Sequence, residues 1–291
     1  MSPFTFNDWT KKDPLPLGAV ACYRPGGKFH GALLQDFDVL VFLIFDSPRD
    51  CEDVQTHHRV ENGVHYHFLS LQAEELKRWI VTGENRSLVH YFLQGEVVDD
   101  VNGQILHLRQ QVEHFEQPLQ EQRLFFEFSR FLRNYVEAKR HLTEGHEMDA
   151  YYSTLKALHH WACIELVQKS VYPEKTIWNQ VRTHSAQVYK LYEQLAFSQE
   201  TLEERVELVL LACEFSVMSK MAVCSELLIR VLRSRRIPWT IEELVRHPDL
   251  QYVKKELPMV VRKLVYRSLI KQWPREDNTS PHSEEIRYSV N

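Results

Sequence analysis

Glycine is scarce in this chain and unevenly placed. Eight of the nine lie at or before Gly103 and none follows Gly145. Past that point no residue adopts positive φ cheaply, which excludes a turn-rich β-architecture there and predicts helix, with strands and turns in the first third. The five cysteines, Cys22, Cys51, Cys163, Cys213 and Cys224, are odd in number and form no CxxC pair. That excludes a disulfide scaffold and a zinc ribbon and predicts reduced thiols in a cytoplasmic protein. The start of the chain has no basic stretch followed by an apolar one, so no secretory leader is expected. The longest unbroken apolar run, Val39–Phe45, is too short to cross a bilayer, and no membrane partner is expected.

A strong net charge is also missing: the total is −5. Residues 231–291 carry +4 and the remainder −9. A modestly basic tail on an acidic body permits contact with nucleic acid.

What is present falls into three regions. Residues 17–23, 37–45 and 64–71 read as strands, the first two joined by the turn-rich "RPGGKFHG". Helices follow at "AEELKRWIVTG" and "NRSLVHYFLQG", with Gly83 and Gly95 as C-caps. Then "EVVDDVNGQILHLRQQVEHF" predicts a short strand, a turn and a helix. This mixed α/β domain is expected over residues 1–117. From residue 118 the apolar residues Leu119, Phe125, Phe128, Phe131, Leu132 and Tyr135 recur at three- and four-residue steps, the stripe of a buried helix. Segments near 148–169 and 202–232 repeat the pattern, which predicts an all-α bundle over residues 118–233. Residues 234–291 predict a capping box at Thr240 and Glu243, a second helix opened by Pro258, and two strands at "LIKQW" and "IRYSV". Helix, turn, helix and hairpin is the order of a winged helix. The expected fold class is therefore α+β multidomain, with a winged-helix-like helix-turn-helix at the C-terminus.

The chemistry-bearing motif is "QDFDVLVFLIFD", residues 35–46. Alternation along a strand places Asp36 and Asp38 on one face and Phe37 on the other, with the carboxylates about 7 Å apart. Such a pair serves either as oxygen ligands for Mg²⁺ bridging nucleotide phosphates or as the solvated head of a strand.

An early glycine, Asp-x-Asp on a buried strand and a further strand together resemble the nucleotidyltransferase superfamily. The stretches "DAYYSTLKALHHWACIELVQKS", "TIWNQV", "YKLYEQL" and "IPWTIEELVRHPDLQ" are similar to the YgxA-type nucleotidyltransferase-like proteins of Gram-positive bacteria, over nearly the whole chain. The resemblance implies a nucleotidyltransferase-like domain, a helical substrate-binding domain and a C-terminal helix-turn-helix. It further implies that Asp36 and Asp38 hold Mg²⁺–NTP in a cleft between the first two domains and direct nucleotidyl transfer to an unknown acceptor. Where the superfamily has Gly-Ser this chain offers Gly18 and Ala19, eighteen positions before Asp36. Where a third carboxylate is expected, on "VHYHFLSL", it offers His65 and His67. Those departures keep a second reading open: a catalytically degenerate fold acting as a nucleotide-sensing or DNA- or protein-binding regulator.

Other candidates are local. Gly18, Ala19 and Lys28 are candidates for phosphate contact, and His57, His58, His65 and His67 form a cluster that is either a metal site or polar filler. Asp149, Tyr152, Lys156 and His160 share one face of a helix and are candidates for substrate binding. Lys254, Lys255, Arg262, Lys263 and Arg267 lie on or before the expected recognition helix and are candidates for salt-sensitive phosphate contacts. No Asn or Gln on that helix stands ready to read adenine edges.

Overall fold

Seven consecutive apolar residues require a strand covered on both faces, and β2, Val39–Phe45, is buried at every position. The computed structural model describes residues 16–23, 37–46, 54–174, 176–276 and 284–290. β2 is the centre of a five-stranded sheet with β1 (Gly18–Tyr23), β3 (Val54–Glu61), β4 (Val64–Gln72) and β5 (Glu96–Asp100), in the order β3-β4-β2-β1-β5. β2 and β4 run parallel and the other pairs antiparallel, so the sheet is mixed. The strand β3 is missing from the sequence reading because "VQTHHRVE" is polar and mostly exposed; it is an edge strand joined to β4 by a tight turn at Asn62 and Gly63.

The helix α1 (Ala73–Thr82) buries Leu76, Trp79 and Ile80, and α2 (Arg86–Gln94) buries Val89, Tyr91 and Phe92. Phe92 meets Phe42 edge to face at 6.0 Å, which puts α2 on the sheet face of Phe42. The two glycines expected as C-caps differ. Gly83 ends α1 in the left-handed region at φ 70°, whereas Gly95 is extended at φ −68°. At Gly95 the need is space: a Cβ would lie 2.7 Å from Val20 Cγ1 and 3.0 Å from the Ala21 carbonyl. The helix α3 (Gln104–Glu113) starts where Asp100 accepts the backbone N–H groups of Ile105 and Leu106, both at 3.0 Å. The chain divides into two compact units, and this sheet with α1–α3 belongs to the first, Met1–His114.

The second unit, Phe115–Asn291, is helical through residue 233. The 27-residue α4 (Gln117–Thr143) and α5 (Glu147–Val167) pack along each other. They are followed by α6 (Ile177–His184), α7 (Ala186–Phe197), α8 (Leu202–Ser216), α9 (Met221–Cys224) and α10 (Glu226–Arg233). Phe125, Phe128, Phe131, Leu132 and Tyr135 are buried as the stripe predicts. Leu202–Arg233 is apolar and long enough to cross a membrane by length and composition alone. Here it is broken by a 3-10 turn at Met218–Lys220, and Val206, Val209, Leu210, Cys213, Leu227, Leu228, Val231 and Leu232 join the bundle core.

After residue 233 come β6 (Trp239–Thr240), α11 (Ile241–Arg246), a 3-10 turn at Pro248–Val253, α12 (Leu257–Tyr266), β7 (Lys271–Glu276) and β8 (Glu284–Ser289). The three strands form a small antiparallel sheet in the order β6-β8-β7. The capping box is present: Glu243 N–H donates to Thr240 Oγ1 at 3.2 Å, and Thr240 N–H donates to Glu243 Oε2 at 2.8 Å. This segment shares one hydrophobic core with the bundle, through Leu244, Leu250, Leu257, Val260 and Leu264. Glu256, 2% exposed, pairs with Arg130 and Arg133 of α4 at 3.0 and 3.2 Å.

Candidate functional site

The head of β2 is where burial stops. Asp38 is exposed and Val39 is buried. Asp38 N–H donates to the His65 carbonyl at 2.9 Å, and His65 N–H donates to Asp38 Oδ2 at 2.9 Å. The carboxylate thus completes the parallel β2–β4 ladder, satisfying an amide that would otherwise end the strand unpaired. Among the described residues its other oxygen, Oδ1, accepts no hydrogen bond. Asp36 and Lys28 lie outside the described residues.

The expected alternation breaks at this point. Register pairs Leu40 with His67 and Val39 with Tyr66, so His67 shares the face of Leu40. Strict alternation would place Phe37 with Val39, on the opposite face. Instead the Phe37 ring packs against His58 at 4.6 Å and His67 at 4.8 Å, and those two imidazoles lie 4.9 Å apart. The physical reason is that β2 begins at Val39: the two residues before it are not held by a strand's pleat.

His67 is 7% exposed, and its Nδ1 is buried without a hydrogen-bond partner among the described residues. Burial, with the neighbouring His58 as a smaller cause, pushes its pKa down to about 4, so the ring is neutral at pH 7. Tyr66, on the other face, has its pKa raised by burial and by the charges of Glu61 and Asp38.

Gly18 and Ala19 do not reach this place. Gly18 pairs with Ile44 and Tyr23 with Val39, which puts Gly18 at the far end of the hairpin, on the order of 20 Å from Asp38 at roughly 3.4 Å per residue. Ala19 has no exposed surface. A Cβ on Gly18 would lie 2.5 Å from both the Asp99 carbonyl oxygen and Ile105 Cδ1, so glycine there serves packing. The end of β1 that approaches Asp38 is Cys22 and Tyr23.

Mg²⁺ takes several oxygen donors. No group of three ligand side chains among the described residues includes Asp38, and the side chains that β4 brings beside it are imidazoles. The described residues therefore do not by themselves make a magnesium site. Nor do His57, His58, His65 and His67 gather into a metal cluster: the described residues contain one such group, His141, Glu144 and His146, at the end of α4, with ligand atoms within 4.8 Å of one another. Spacing that crosses a helix terminus hid this group in the sequence.

On α5 the predicted stripe is only partly united. Lys156 Nζ sits 4.3 Å from the ring centroid of Tyr152, which is 60% exposed, and Asp149 is exposed at the start of the helix. His160 turns to α4, where Glu127 Oε2 accepts from its Nδ1 at 2.6 Å. Sequence reasoning missed Glu127 and its partner Arg123, 1% and 0% exposed, because charged residues within an apolar stripe read as its solvated side. It also missed a groove of about 580 Å³ between α4 and α8, with Lys139, Glu204, Glu207 and Glu214 among its lining residues.

Among the C-terminal candidates, Lys254, Lys255, Arg262 and Arg267 are exposed and Lys263 is half-buried, its Nζ 5.4 Å from the Tyr266 ring. Arg262, Lys263 and Tyr266 open onto a groove of about 440 Å³ shared with Leu132 and Val136 of α4.

Residues 27–121 match the family described as nucleotidyltransferase-like, and residues 121–220 match the YgxA-like substrate binding domain. The uncharacterized protein YgxA of Bacillus subtilis (strain 168) is 34% identical over 196 residues, covering 67% of this chain and 66% of that protein. The chain thus matches just under two thirds of that relative's length. The crystal structure of a nucleotidyltransferase-like protein from Exiguobacterium sibiricum 255-15 is 27% identical, with a TM-score of 0.87 over 98% of this chain and 97% of that one. A mixed sheet headed by Asp38, a helical unit and these matches agree: the chain belongs to the YgxA-like proteins, with a nucleotidyltransferase-like domain followed by a YgxA-like substrate-binding domain.

Proposed function

We propose that this protein is a cytoplasmic, catalytically degenerate nucleotidyltransferase fold that binds a nucleotide and acts as a regulator. The observation that carries this reading is the state of Asp38: one carboxylate oxygen is committed to the His65 amide, and the strand beside it offers imidazoles where a third carboxylate would stand. A nucleotide site of this kind holds a base and phosphates without gathering the oxygen donors that phosphoryl chemistry needs.

The C-terminal segment is read as a winged helix, supported by the order β6, α11, α12, β7, β8 and the pairing β6-β8-β7. Lys254, Lys255, Arg262 and Arg267 would then supply phosphate contacts to duplex DNA, with Lys263 beside them. Such binding weakens steeply as salt rises.

A second reading, nucleotidyl transfer from Mg²⁺–NTP to an unknown acceptor with Asp36 and Asp38 as ligands, is favoured by the exposure of Asp38 and by its Oδ1, which accepts no hydrogen bond from the described residues. One experiment separates the two: calorimetric titration of ATP with and without Mg²⁺, run beside a pyrophosphate-release assay. The regulatory reading expects ATP binding that survives chelation and no pyrophosphate. Mg²⁺-dependent pyrophosphate release that disappears in Asp36→Ala overturns it in favour of transfer. For the tail, binding of arbitrary duplex DNA is measured over a salt series, and no affinity at low salt ends the DNA reading.

A further inference from the structure

A buried charge cluster in the helical unit has no part in the site at Asp38. Arg123 and Glu127 stand one turn apart on α4, with Arg123 Nη2 2.5 Å from Glu127 Oε1. The second oxygen of Glu127 meets His160 Nδ1, on α5, at 2.6 Å. The two carboxylate oxygens are thereby divided between a guanidinium and an imidazole. Burial alone would push the Glu127 pKa up, but Arg123 and then His160 outweigh it and hold it at about 2.

An ionised carboxylate only accepts hydrogen bonds, so the nitrogen facing it carries the proton. In a neutral imidazole the other nitrogen, Nε2, is then a bare lone pair. The His160 side chain is 19% exposed while Glu127 is 1% exposed. His160 Nε2 is not among the buried unpartnered side-chain nitrogens of the described residues, so the imidazole reaches solvent while the carboxylate does not. Packing alone does not require this arrangement, because an apolar pair of similar volume fills a core at no greater cost than a buried ion pair. What the ion pair adds is one fixed orientation and one tautomer of His160. All three residues lie within the segment matched to a substrate-binding domain. His159, 5.6 Å from His160 between ring centroids, also lies 6.4 Å from Trp178, which stacks on Tyr192 at 4.0 Å. His159, edge to face with His160, is thus the near end of an aromatic run through Trp178 to Tyr192.

We propose that Arg123, Glu127 and His160 form a relay presenting the Nε2 lone pair of His160 as the acceptor for a hydroxyl group of a ring-bearing small molecule. Arg123 and Glu127 are positioning residues, and His160 is the binding residue. This rests on the reading that the helical unit binds a substrate, and it is independent of whether the first unit binds a nucleotide.

The test uses the full chain. Long-range ¹H–¹⁵N spectra of the histidine rings at pH 7.5 report the tautomer of His160. Carbethoxylation by diethyl pyrocarbonate, followed by peptide mass spectrometry, reports the availability of its Nε2. The probe is phenol, against anisole, which has the same ring without the hydroxyl. The expected result is a protonated Nδ1 and a bare Nε2, a Nε2 resonance that phenol shifts and anisole does not, and carbethoxylation slowed by phenol alone. Glu127→Gln should slow carbethoxylation of His160 roughly tenfold, by analogy with the lower end of what loss of a carboxylate partner costs at a metal-ligating histidine. A proton on Nε2 in the wild type overturns the relay, even in a chain that binds ATP. The expected tautomer with equal responses to phenol and anisole overturns the hydroxyl-acceptor role and leaves the cluster structural. An unchanged carbethoxylation rate in Glu127→Gln does the same for the positioning role. Should that variant not fold, the wild-type tautomer and the phenol–anisole contrast decide alone.

Discussion

Replacing Glu127 by Gln removes one charge from a fully buried pair and keeps nearly the same shape, so its cost isolates electrostatics from packing. Two routes to the magnitude converge. Each pKa unit is worth about 1.4 kcal/mol, and a carboxyl held at about 2 against its ordinary 4.5 contributes about 3 kcal/mol to folding. Leaving Arg123 buried without its counter-charge costs about 3–5 kcal/mol in comparable cores. Because the folded pKa is depressed, this contribution is complete above pH 4.5 and is lost as pH falls from there through about 2. The readout is hydrogen exchange of the α4 and α5 amides at pH 7, where a loss of that size speeds exchange by roughly two to four powers of ten. The double variant Arg123→Met/Glu127→Leu should recover most of the protection, since an apolar pair needs no desolvation of charge. A Glu127→Gln chain within about 1 kcal/mol of wild type, or a double variant no more protected than the single one, refutes the reasoning.

The remaining expectations concern other parts of the chain. Gly18→Ala places a Cβ against the Asp99 carbonyl, which is backbone and cannot swing away, so urea unfolding should show a loss of about 1–3 kcal/mol with an unchanged slope. His67 is neutral when folded down to about pH 4 but takes a proton near pH 6.5 when unfolded; stability should decline as pH falls through that window, and His67→Leu should flatten the decline in thermal melts. Thr240→Ala removes the side-chain cap of α11 and should cost about 1 kcal/mol, with Thr240→Ser close to wild type in the same melts.

Much of the fold was legible because local chemistry and tertiary context agree. The apolar run of β2, the phenylalanine stripe of α4 and the Thr240–Glu243 capping box are each written within a few residues, and each appears in the structure. β3 was not legible, since an edge strand keeps its polar residues in water and shows no apolar period. The Asp-x-Asp motif was visible, but alternation misassigned Phe37, because the pleat that alternation assumes starts only at Val39.

By itself, then, the sequence determined the class of the chain: a mixed sheet, a helical region and a small C-terminal sheet, with a carboxylate at the mouth of the central strand. Periodicity, capping and glycine placement carry that information because they act between near neighbours. Only the tertiary structure decided what each charged group does. It set Gly18 at the far end of the sheet from Asp38, tied one oxygen of Asp38 to the His65 amide, and joined Arg123 and Glu127 of one helix to His160 of the next. Partners 27 and 33 residues apart in the chain meet only through strand register and helix packing, and local periodicity is silent about both.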